Sequence, residues 1–167
     1  MKDSRIDCKR RKPCLILLAG ALALLASSPA LARSQDDLFK QAQTSFLNIQ
    51  YNNALSAYEA AIEASPKTDT AIRSEFEMAR TYYYLMDVET SVTKFEAFVK
   101  AHAKHALAPA SQKWVGDALF FRGRLTEAEA AFNKVVSSYP TNSLVPETLY
   151  AIARIHLKAG KTEQAVG

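Results

Sequence analysis

The sequence predicts an all-α chain, a stack of antiparallel helix pairs behind a removable leader, and three observations predict it. Residue types recur at a fixed step of 37 positions. Within each period apolar residues return at the spacing that places them on one face of a helix. Short polar turns such as Arg122-Gly123-Arg124 separate the periodic stretches.

The leader comes first. Lys2, Arg5, Lys9, Arg10, Arg11 and Lys12 precede an apolar run from Leu15 to Ala26, and Ala30-Leu31-Ala32 supplies the small residues a signal peptidase accepts. Residues 1–32 are therefore expected to be a signal peptide, cut before Arg33. The run is 12 residues long, whereas a spanning helix needs about 18 or more, so no membrane span is expected after cleavage. Cys14 stands before the apolar run, the reverse of the order in a bacterial lipoprotein signal, so no lipid anchor is expected. Cys8 and Cys14 both leave with the leader, and the processed chain then has no thiol for a disulfide, a metal or nucleophilic catalysis.

The formal charge of +4 lies wholly in the leader. Residues 33–167 hold 15 basic and 15 acidic side chains. A balanced surface has no general pull toward nucleic acid or anionic lipid, and neither is an expected partner.

The repeat carries most of the information in residues 33–167. Ala42, Ala79, Gly116 and Ala153 stand at one step, as do Phe46, Tyr83, Phe120 and Leu157. The same step links Ala54, Ser91, Ala128 and Ala165, then Tyr58, Phe95 and Phe132, then Ile62, Val99 and Val136. Small residues let two helix backbones approach, and aromatic neighbours fill the grooves between them. Gly123 and Gly160 suit the left-handed residue that closes a helix, and Pro66 and Pro140 stop the helices before them.

First helices are expected near 36–48, 69–86, 107–122 and 144–159. Second helices are expected near 51–64, 88–101 and 125–138, with a further start from 162. The units fall at about 35–68, 69–105, 106–142 and 143–167, the last incomplete. A repeat array normally closes with a polar capping helix, so Leu149, Ile152 and Ile155 are expected to leave apolar surface open. Self-association through this fourth unit, or a chain that is part of a longer protein, is the corresponding expectation.

This pattern resembles the tetratricopeptide repeat, whose usual period is about 34 residues. The third unit carries the resemblance most clearly, with Gly116, Phe120, Gly123, Ala128, Phe132 and Pro140 at the family's signature places. The resemblance covers residues 36–167 and implies a right-handed superhelix whose concave wall is lined by first helices. The lengthened unit looks like the periplasmic repeats of the Tol-Pal accessory protein YbgF, also called CpoB, and of the outer-membrane assembly lipoprotein BamD. It differs from the first in lacking a coiled-coil segment before the repeats, and from the second in lacking a lipid-bearing cysteine. The implied function is a non-catalytic scaffold in the periplasm that binds other envelope proteins or peptide segments.

Carrying the concave places onto this chain nominates Arg73, Phe76, Arg80 and Tyr84 in the second unit. Lys113, Asp117 and Phe121 follow in the third, then Tyr150, Arg154 and Lys158 in the fourth. Aromatic and arginine side chains favour binding, since each brings a large contact area with a polar handle. Arg80, Tyr84, Phe121 and Arg154 are the foremost contact residues, while Tyr83, Phe120 and Leu157 repeat so regularly that packing is their expected role.

His102 and His105 could present two imidazoles to a metal, but no third ligand accompanies them. A solvated helix end beside Lys100 and Lys104 is the expected reading, and His156 is expected to pack. No nucleophile elbow, phosphate-binding glycine loop or zinc-protease helix occurs. No cofactor and no catalytic residue is therefore expected, and an enzyme or accessory subunit with an unrecognised site is the rival of a different class.

Overall fold

A computed structural model describes residues 33–160. The leader and the expected helix start from 162 lie outside the described residues. Seven helices follow one another among the described residues: α1 (Gln35–Leu47), α2 (Tyr51–Ala64), α3 (Asp69–Tyr84), α4 (Val88–Ala101), α5 (Ala108–Phe121), α6 (Leu125–Ser138) and α7 (Val145–Lys158). Each packs against its sequence neighbours, and α3 also touches the first helices on either side of it, α1 and α5.

Local chemistry sets the boundaries. Ser34, Thr68 and Asp87 cap α1, α3 and α4, each accepting a bond from a backbone N–H three residues on. In α5 and α7, Pro109 and Pro146 occupy the first turn, where a missing N–H costs nothing. Gln35 ties the end of α2 down: its Nε2 donates to the carbonyls of Ala61 and Ser65 at 2.7 and 2.9 Å.

First and second helices are joined by tight turns of one design. The N–H groups of Gln50, Asp87 and Arg124 reach back to the carbonyls of Ser45, Tyr82 and Leu119. Those of Ile49, Met86 and Gly123 reach back to Phe46, Tyr83 and Phe120. This double closure requires a left-handed residue at the second of each pair's positions. Gly123 and Gly160 take it at φ +76° and +73°, as the sequence implies. Ile49 and Met86 take it too, at φ 61° and 64°, which the glycine signal did not reveal.

Equivalent residues have equivalent surroundings. Tyr58, Phe95 and Phe132 are all fully buried, as are Ala54, Ser91 and Ala128, and Ala42 and Ala79. At Gly116 a Cβ would come within 2.4 Å of the Phe132 ring, so in the third unit the close approach needs glycine itself. A further repeated feature is buried and polar. Ser74, Ser111 and Thr148 each donate their hydroxyl to the carbonyl four residues back, at 2.7, 2.9 and 2.7 Å, which satisfies them without a partner helix.

Two apolar clusters result. One gathers Phe39, Ala42, Tyr58 and Met78 around α1 to α3. The larger gathers Phe76, Phe95, Phe98, Val115, Leu119, Phe132 and Ile155 around α3 to α7. Ile155, expected to stay partly open, is fully buried there, while Leu149 is half exposed.

Candidate concave groove

A groove of about 800 Å³ opens between the end of α3, the length of α5 and the inner face of α7. Its aromatic wall is continuous. Tyr83 contacts Tyr84, Trp114 and Phe121 edge-on, with ring centroids 5.7, 5.2 and 5.8 Å apart. Tyr84 leans in turn on Phe46 of α1, at 5.2 Å. Trp114 stacks on the buried Phe95 at 5.9 Å and an interplanar angle of 7°, which anchors the wall in the core.

Beside the rings the lining is charged. Lys113 Nζ lies 2.9 Å from Asp117 Oδ2 and 2.9 Å from Glu147 Oε1, so one ammonium bridges α5 and α7. Burial works against that ammonium, but its bonds to both carboxylates outweigh burial and hold its pKa above the usual value. Burial pushes the Asp117 carboxyl up, the bond and charge of Lys113 reverse this only in part, and the Glu147 charge adds a smaller rise. Burial also pushes the Tyr83 phenol up, with the Asp117 charge adding to it. Arg154 and Lys158 lie over the Phe120 ring, 5.1 and 5.2 Å from its centroid.

Of the ten residues nominated from sequence, six line this groove: Tyr84, Lys113, Asp117, Phe121, Arg154 and Lys158. Arg80 sits behind the wall, bonded to Glu77 at 2.8 Å, with its guanidinium 5.4 Å from Phe46 and 5.7 Å from Trp114. Arg73 is exposed over Phe39, 5.0 Å from the ring centroid. Tyr150 is 65% exposed and is not part of the groove lining.

Phe76 is a correction. It is 6% exposed and packs edge-on against Phe95 and Phe98, at 5.5 and 6.0 Å. Its place borders both the groove and the seam between helices, and an apolar ring gains more in the seam. Lys113, one period later, extends from the same place to the carboxylates of Asp117 and Glu147.

Further readings change. Tyr83 and Phe120 pack on the core as expected yet also form groove wall, whereas Leu157 is 56% exposed and is not core. Trp114 and Glu147 were missed; the signal available was that Trp114 is the one tryptophan of the chain. His156 does more than pack, since its Nε2 lies 3.0 Å from Glu129 Oε1. His102 and His105 pair with Glu75 and Asp69 at 2.9 and 3.1 Å, which fastens the end of α4 to α3. Among the described residues no group of three or more metal-ligating side chains forms.

Stacked helix pairs that present a solvent-open, aromatic and charged groove define a helical-repeat protein. Residues 76–143 match the tetratricopeptide repeat family model, and the fold is that of a tetratricopeptide solenoid. A comparison with curated proteins found no match. Among solved structures, MamA is similar with a TM-score of 0.65 at 13% identity, over 83% of this chain and 75% of that one. MamA from Desulfovibrio magneticus RS-1 aligns with a TM-score of 0.63 at 12% identity, over 80% and 70% of the two chains. A putative kinesin light chain from Podosopora anserina, with nearly identical TPR-like repeats, aligns with a TM-score of 0.65 at 22% identity, over 82% and 74%. At these identities the likeness is one of fold. No helix among the described residues is long and apolar enough to cross a membrane.

Proposed function

We propose that this chain is a non-catalytic scaffold of the bacterial cell envelope that holds an extended or helical segment of a partner protein in its concave groove. The observation that carries the reading is the groove itself. Phe121 and Tyr84 stand half exposed on a wall whose rings are locked edge to edge, so binding would order little that is not already ordered. Arg154 and Lys158 present cations beside that wall, and aromatic and arginine side chains dominate the energetics of protein interfaces.

The leader supports a periplasmic address. The long 37-residue unit supports coordination of the Tol-Pal system, as in YbgF, with a role in outer-membrane protein assembly of the BamD kind as the alternative. Amino-terminal sequencing of the processed protein is expected to begin at Arg33 in the periplasmic fraction. Tagged wild-type protein, recovered from cells beside a Tyr84→Ala, Phe121→Ala double variant, tests the groove. The variant is expected to stay folded and lose a partner that the wild type retains; equal recovery of every partner contradicts the reading. Turnover by the purified chain, abolished by replacing one polar residue, would favour the enzyme rival instead.

A second reading has its own observation. Leu149, Tyr150 and Leu157 of α7 are half exposed or more, and a second copy covering them would bury apolar surface worth about 25 cal/mol per Å². Sedimentation at rising concentration tests it: a dimer that Leu149→Glu dissolves supports it, and a monomer throughout excludes it.

A further inference from the structure

On the opposite side of the solenoid, α2, α3 and α4 leave a cleft of about 410 Å³. Its floor is apolar, made by Ile62, Met78 and Phe98 with Ala97 and Ala101 at the edge. Glu59 and Glu63 are exposed, stand four residues apart on α2 and so share a helix face at the cleft's rim. Glu75 adds a third carboxylate from α3, paired with His102 at 2.9 Å. The one lysine there, Lys94, lies against Tyr82, 5.6 Å from the ring centroid.

The repeat explains why a cleft exists at this junction. One period on, Glu75 becomes Gln112, Lys94 becomes Ala131, and Phe98 becomes Val135. Gln112 is buried and donates to the Ala131 carbonyl at 3.2 Å, and Val115, Ala131 and Val135 are buried around it. At the earlier junction His102 holds the Glu75 carboxylate, whose side chain remains 40% exposed, so no side chain makes the corresponding bridge. The cleft therefore stays open over the buried Met78 and Phe98, with Ile62, Ala97 and Ala101 as its accessible apolar lining and acids around it.

We infer that this convex cleft is a second docking site, separate from the concave groove, and that its occupant is a cationic amphipathic peptide segment of a partner protein. An aliphatic side chain fills the floor, and flanking lysines or arginines meet Glu59 and Glu63. The volume suits a side-chain anchor rather than a whole domain face. Anionic ligands such as phosphates or nucleic acid are repelled by the rim, which is locally acidic on a chain whose charges otherwise balance over residues 33–167.

The test uses the purified chain and a fluorescent helix-forming peptide with leucines on one face and lysines flanking them, read by anisotropy. Saturable binding is expected, and a peptide with glutamates in place of the lysines should not bind. Glu59→Lys with Glu63→Lys should weaken binding about tenfold or more. Ala97→Trp, built outward from an exposed helix position, should fill the cleft and abolish binding while leaving the circular dichroism spectrum unchanged. Tyr84→Ala with Phe121→Ala should leave this binding intact, so failure of the concave reading and failure of this one are told apart. The inference is overturned by no saturable binding of the lysine peptide, by equal binding of the glutamate peptide, or by indifference to Ala97→Trp. It is overturned equally if sedimentation shows that a second copy of the chain occupies the cleft.

Discussion

Replacing Met86 with glycine should stabilise the solenoid although it removes an apolar side chain. Met86 closes α3 at φ 64°, a conformation that costs a residue bearing a Cβ about 1–2 kcal/mol. Its side chain is 63% exposed, so little burial is lost. Against the relief stands the greater freedom of glycine in the unfolded chain, about 0.5–1 kcal/mol. The net gain is about 0.5–1 kcal/mol, or a rise in Tm of about 2–4 °C for a domain of this size. Ile49 holds the same place one period earlier at φ 61° and is 72% exposed, so Ile49→Gly should give a similar gain. The two sites lie in different turns with no shared partner, and their effects should add. Gly123→Ala should lose a comparable amount at the equivalent turn, where φ is +76°. Thermal melts by circular dichroism measure all three. A lowered Tm for Met86→Gly, or no loss for Gly123→Ala, would refute the equivalence of these turns.

Gly116→Ala should destabilise despite a helix-propensity gain of about 1 kcal/mol, because the new Cβ meets the buried Phe132 ring at 2.4 Å and overpacking costs about 1–3 kcal/mol. A melt showing Gly116→Ala above wild type would contradict it. Phe76→Ala should cost about 3–5 kcal/mol by urea denaturation as a core truncation, whereas Phe121→Ala should cost less than about 1 kcal/mol and act on partner binding; the reverse order would return Phe76 to the groove. Asp117 supplies a pH test. Burial raises its carboxyl pKa above 3.8 in the folded chain, so its stabilising contribution is full below that value and lost as pH rises through the folded pKa. Urea midpoints of Asp117→Asn should therefore gain on wild type as pH is raised from about 3.5 to 7, and a gap drifting the other way would refute the sign.

Helix limits and core positions were legible because a 37-residue step compares each residue with copies of itself. The second helices begin and end where spacing and proline place them, and Tyr58, Phe95 and Phe132 share one environment. The turns at Ile49 and Met86 were less legible, since glycine marks a left-handed residue only where glycine is used. Groove membership was harder still. Phe76 and Lys113 occupy one register, yet the ring turns into the seam and the amine turns to the groove's carboxylates, a choice made by side-chain chemistry and not by period. Trp114 reaches the groove from a place outside the family's concave register, through its stack on Phe95. The histidine pairs join residues 27 to 36 apart, a separation at which sequence patterns carry no signal until the helices are stacked.

Recognition of the proposed partner on the inner wall formed by α3, α5 and α7 can be read in cells. Photoreactive residues placed at positions 84, 121 and 154 in living cells measure it most directly. All three are expected to trap one and the same partner protein, while control positions 126 and 133 on α6 trap none of it. Adducts to that partner from the outer positions alone would contradict it.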